Sequence, residues 1–97
     1  MEKWLKNYLD SSGKLSMYPS KRKLKIAVMF YIANQIEAHK TYTEKEMNEA
    51  INEICTFNDA ALLRREMYNY HFINRTEDGK VYTLEENQPS PEEYGLS

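Results

Sequence analysis

The sequence predicts a mainly α domain with a small β-hairpin, arranged as a winged helix-turn-helix with an extra N-terminal helix. Three observations carry this expectation. A long apolar stripe, Leu24, Ala27, Val28, Tyr31, Ile32 and Ile36, marks a central helix. Two further stripes, Met47-Ile51-Ile54-Cys55 and Ala60-Leu63-Met67-Tyr70, are separated only by the short Thr56–Asp59 break, the spacing of a helix-turn-helix. Two β-prone runs, Phe72-Ile73 and Val81–Leu84, then flank Asp78-Gly79, which reads as a hairpin.

Each element has a local cause. Trp4, Leu5, Tyr8 and Leu9 recur at helical spacing in the first residues, and Asp10-Ser11-Ser12-Gly13 ends that helix in a turn. Lys14–Tyr18 reads as extended because Pro19 biases its predecessor away from helix. Ser20 is the expected N-cap of the central helix. Its first turn, Lys21-Arg22-Lys23 followed by Lys25, opposes the helix macrodipole, so it either meets an anion or serves as a solvated end. Thr43 with Glu46 forms a capping box for the next helix. Asp59 or Asn58 caps the one after, and Thr41-Tyr42 is the strand expected to pair with the hairpin.

Ninety-seven residues make one domain. We expect residues 1–84 to form it, with 1–19 as an N-terminal helix and extended segment packed on the rest. Residues 85–97, bearing Glu85, Glu86, Glu92 and Glu93, Pro89 and Pro91 and no base, are expected to be a disordered acidic tail. All 13 basic residues lie in 1–84 beside 11 of the 15 acids, so body and tail differ in sign. No apolar run approaches the ~18 residues of a membrane span and no signal peptide is recognisable, so no membrane partner is expected. Cys55 is the only cysteine, which fits a reducing, cytoplasmic setting.

The stretches Tyr8-Leu9-Asp10, Gly13-Lys14-Leu15 and Pro19–Lys23 resemble the opening of a bacterial family known as domain of unknown function 2087. Tyr42–Glu49 and Asp59 through Leu62–Met67 match its other two marks, so the likeness covers roughly residues 4–84. The family also occurs attached to winged-helix regulators of the ArsR type, which implies a transcription-linked role. Leu63-Arg64-Arg65-Glu66-Met67 is further similar to the recognition-helix signature of DeoR-type repressors. The position before the aliphatic is often Thr in both families and is Leu62 here, which removes a hydroxyl that could contact phosphate.

Two kinds of surface are candidates. For duplex DNA the contacts would come from Lys21, Arg22, Lys23, Lys25, Asn58, Arg64, Arg65, Asn69 and Lys80, with helix 59–70 as recognition helix. Arg64 and Arg65 lie about 100° apart on a helix and cannot point the same way. One faces outward, and the other is expected to brace the domain against Glu46, Glu49 or Glu53. The hairpin tip carries Glu77 and Asp78, so it is expected to be a plain turn rather than a minor-groove wedge. For a protein partner or a homodimer, the contacts would be Trp4, Leu5, Tyr8, Leu62 and Tyr68. Enzymatic readings have no support. His39 and His71 lack helical metal-site partners, Cys55 lies on a core stripe, and no glycine pattern cradles a phosphate. Neither cofactor nor metal is expected.

Overall fold

A computed structural model describes residues 1–96. The fold is mixed α/β, with four α-helices and a small three-stranded antiparallel sheet among the described residues. Helix α1 (Glu2–Leu5) runs into a 3-10 turn (Lys6–Tyr8). The chain then reverses at Asp10, whose carboxylate accepts from Ser12 N–H, Ser12 O–H and Lys14 N–H at 2.8–3.0 Å. Gly13 closes this turn at φ 81°, a conformation that favours a residue without Cβ. Of the stretch Lys14–Tyr18, expected to be extended, Leu15 alone forms β-bridges, to Leu9 and Cys55, and Met17 lies in a bend. Leu15, fully buried, is the tie: its N–H donates to Ile54 C=O at 2.8 Å, and its C=O accepts from Thr56 N–H at 2.7 Å.

Helix α2 (Arg22–Ala33) is buried on more than one stripe, with Ile26 through Phe30, Ile32 and Ala33 all in the core. Its start departs from expectation. Lys21, not Ser20, occupies the N-cap, and no side chain caps the helix. The basic first turn therefore stands at uncapped backbone N–H groups.

Strand β1 (Tyr42–Thr43) leads directly into α3 (Glu44–Ile54). The capping box is complete: Thr43 Oγ1 accepts from Glu46 N–H at 3.1 Å, and Glu46 Oε1 accepts from Thr43 N–H at 2.8 Å. Met47, Ile51 and Ile54 face the core. Asn58 at φ 57° turns the chain into α4 (Ala60–Asn69). Asp59 holds the N-cap position without a side-chain hydrogen bond. The far end of α4 is a Schellman motif with His71 at φ 68°. Phe72 N–H donates to Met67 C=O at 2.8 Å, His71 N–H donates to Tyr68 C=O at 3.2 Å, and Met67 and Phe72 are both fully buried.

Strands β2 (Ile73–Arg75) and β3 (Val81–Leu84) form the expected hairpin, and β1 pairs with the other edge of β3. The register sets Tyr82 opposite both Tyr42 and Arg75.

Residues 85–96 are not a free tail. Gln88 Nε2 donates to Phe72 C=O at 2.8 Å, and Pro91–Tyr94 forms a 3-10 turn. The Tyr94 ring sits 5.9–6.4 Å from the rings of Phe30, Tyr70 and Phe72, while Leu96 is buried. Pro89, Tyr94 and Leu96 supply apolar anchors at short intervals. They offset the ordering cost that acidic composition alone would leave uncompensated. The segment is a strap over α2 and the turn that joins α4 to β2. No helix among the described residues is long and apolar enough to cross a membrane.

Candidate nucleic-acid interface

The two adjacent arginines of α4 part company as their spacing requires. Arg64 is 8% exposed and turns inward. Its Nη2 lies 3.2 Å from Glu44 Oε1, its Nη1 donates to Asn48 Oδ1, and its guanidinium lies 5.6 Å from the Tyr82 ring centroid. Arg64 is therefore turned inward as a brace, in place of the outward position expected of a recognition-helix arginine. Its partners also differ from those expected. Glu46 is engaged in the Thr43 cap, while Glu44 and Asn48 stand one turn apart on one face of α3. Arg65 is exposed and becomes the outward arginine.

Around Arg65, Ala61 and Asn69 are exposed and Leu62 and Tyr68 half-buried, which defines the outward face of α4. One side of this face meets the hairpin. Arg75 of β2 lays its guanidinium 4.6 Å from the Tyr68 ring centroid, within the range of a cation–π contact. Interaction with the Tyr68 hydroxyl, opposed by desolvation, holds the Arg75 guanidinium further above its ordinary pKa, and Tyr82 adds to this. Gly79 turns the hairpin at φ 71°, and a Cβ there would be in ordinary contact with Arg75 Nη1 at 3.4 Å. Arg64, Arg65, Tyr68, Asn69, Arg75 and Tyr82 line a cleft of about 190 Å³ between α4 and the sheet.

The other side of α4 meets the basic turn of α2. Arg22 lies 5.5 Å from the Tyr70 ring centroid, and Lys25 lies 5.5 Å from that of Tyr18. The Tyr18 hydroxyl in turn donates to Glu66 at 2.9 Å. Burial and then this carboxylate push the Tyr18 phenol well up. Lys23 lies 4.4 Å from Trp4, and Lys21 is exposed. At about 100° per residue, Glu66 and Tyr70 lie to one side of Arg65 on α4 and Arg64 and Tyr68 to the other. The outward face is thus bounded by cations on both flanks.

The remaining candidates fall elsewhere. Asn58 is exposed in the turn before α4, and Lys80 is exposed on the hairpin but outside the cleft. The hairpin tip is closed on itself, because Asp78 Oδ1 accepts from the Thr76 hydroxyl and from Lys80 N–H. These bonds hold the Asp78 carboxyl below its usual range. Of the apolar candidates, Leu5 is fully buried and belongs to the core, so it offers nothing to a partner. Trp4 and Tyr8 are half-buried. Cys55 is buried, and desolvation pushes its thiol up to about 12. No group of three or more His, Cys, Asp or Glu among the described residues could hold a metal.

Arg75 joins the cleft although it was not among the expected candidates. The signal was present, since alternation along a strand puts Arg75 on the same side as the buried Ile73, the side that meets α4. Neither a curated protein nor a solved structure matches the chain. Residues 14–84 match the bacterial family described as "Uncharacterized protein conserved in bacteria (DUF2087)", and the chain belongs to that family.

Proposed function

We propose that this protein is a small transcription-linked DNA-binding protein of winged helix-turn-helix architecture, with α4 as recognition helix, and that it catalyses no reaction. The order α3, turn, α4, hairpin supports the architecture, with β1 at the sheet edge just before α3. One observation carries the functional reading: the outward face of α4 lies between two sets of cations. Arg75 stands on the hairpin side and Arg22 and Lys25 on the α2 side, with Arg65 between them. A helix seated in a major groove has a phosphate strand on each side, and cations so placed would meet both. Ala61 and Asn69 leave room for close approach and offer an amide to base edges. A single buried cysteine suits the cytoplasm.

The test is an amide NMR titration of the full chain with a mixed-sequence duplex at low and moderate salt, repeated on Arg65→Ala/Arg75→Ala. We expect shifts centred on residues 58–69, 21–25 and 75. If about four phosphates are neutralised, log affinity should fall with log salt at a slope of about −3.6, and the double variant should flatten that slope by about half. An absence of shifts at about 0.1 mM duplex, above much of the nonspecific range of ~10⁻⁴–10⁻⁶ M, would overturn the reading. A protein partner or second copy docking on Leu62 and Tyr68 would then take its place.

A further inference from the structure

We propose that the cleft between α4 and the hairpin is a phosphoryl-binding site, built from Arg65 and Arg75 over a floor of Arg64, Tyr68 and Tyr82. The DNA-binding reading bears on this only for where the phosphoryl group comes from. Three features of the cleft point to this ligand. Its lining holds three guanidinium groups and no carboxylate. The acid nearest in the hydrogen-bond network, Glu44, is taken up by Arg64 and is itself largely solvated, with its side chain 57% exposed. The positive field of the cleft is therefore only partly answered from within the fold.

The second feature is a donor with nothing to donate to. Arg64 Nε is buried and has no hydrogen-bond partner among the described residues, although both terminal nitrogens of the same guanidinium are engaged. Buried polar groups are almost always satisfied, and an orphan on a charged group leaves that charge incompletely compensated. An oxyanion seated in the cleft supplies the counter-charge.

The third feature is size. At about 190 Å³ the cleft is smaller than the ~300–1,000 Å³ of sites that enclose a cofactor or drug-sized molecule. It takes a single charged group with a few waters. A tetrahedral oxyanion fits the available chemistry, because the planar forks of Arg65 and Arg75 can each present two parallel donors to it. The Tyr68 and Tyr82 hydroxyls and the Asn69 amide extend the donor set. Arg75 is held for this task by the Tyr68 ring beneath it. The group is either a backbone phosphodiester of nucleic acid or a free phosphate.

The experiment follows the arginine Nε–H signals of the full chain by NMR during titration with inorganic phosphate, against chloride at matched ionic strength. It is repeated with a short duplex and with Arg75→Gln. We expect saturable phosphate-specific shifts at Arg64, Arg65 and Arg75, weakened about tenfold in R75Q, the loss of one charge-assisted fork. The amides of Ile51 and Phe72 should stay in place and report an intact core. Arg65→Gln, at an exposed helix position, gives the same readout should R75Q disturb the hairpin. Duplex that competes with phosphate identifies the phosphodiester as the source. Phosphate that binds while duplex does not leaves the site standing, with a free phosphate as ligand, and removes the DNA reading. Phosphate shifts that merely follow those of chloride, or that R75Q and R65Q leave unchanged, overturn the site even if duplex binds elsewhere.

Discussion

Arg64 and Arg65 are neighbours in sequence with unlike roles, and the helical turn between them is the whole reason. The inward member ties α4 to α3 through Glu44 and Asn48 and sets its guanidinium over the Tyr82 ring. Replacing Arg64 by Ala removes this packing, one hydrogen bond and the ion pair, and we expect a loss of about 2 kcal/mol in urea denaturation. Glu44→Gln, at the exposed end of the pair, should cost less than about 1 kcal/mol. Equal effects of the two changes would mean that the ion pair, and not the Asn48 and Tyr82 contacts of the buried side chain, does the bracing. The sequence made it legible that one arginine must turn in. It did not reveal which one, or that an amide and a helix-start glutamate would receive it. Those depend on how α3 crosses α4, and no local pattern encodes that crossing.

Helix ends were the most legible elements where two residues cooperate and the least legible where one residue acts alone. Thr43 and Glu46 form a reciprocal pair, and Thr43→Ala should cost about 1 kcal/mol. The Glu46 carboxyl is held below its ordinary range, first by Thr43 N–H and then by the Thr43 hydroxyl. Its folded value is depressed, so its contribution is present above the usual glutamate value of about 4.3 and fades as pH falls through the folded value. Stability followed from pH 6 to pH 3 should therefore fall less steeply in Glu46→Gln than in the parent protein. An unchanged slope would remove the capping carboxylate as the cause. At the other kind of end, Ser20 and Asp59 resembled caps but make no capping bond, since the chain enters α2 and α4 through Pro19 and a left-handed Asn58. His71 likewise carries a left-handed Schellman position normally given to glycine. His71→Gly should raise stability by about 1 kcal/mol by relieving that backbone, and a loss instead would show that the imidazole is needed at the surface.

Across the whole molecule, α2 is the hub. The segment before residue 14 packs on it through α1, and the strap after residue 84 packs on it through Tyr94 against Phe30. The family match spans 14–84, so both flanks outside it cover the same central helix. The radius of gyration, 12.7 Å, is close to the ~12.5 Å expected of a fully compact chain of this length. The order of helices and the hairpin were legible because periodicity is local. The docked strap was not, because its composition is that of disordered chain and its anchors find their partners far away in sequence. That separation has a consequence in time. Tyr94 meets Phe30 across 63 intervening positions and Phe72 across 21, and contacts that close such loops gain least from an early, partly formed nucleus. The strap should latch after the folding barrier is crossed. Tyr94→Ala should then leave the refolding arm of a chevron nearly unmoved and carry its destabilisation, about 2 kcal/mol, almost wholly as faster unfolding. Slowed refolding would instead place the strap inside the nucleus. With late latching, the last 12 described residues govern how long the native state persists rather than how quickly it is reached.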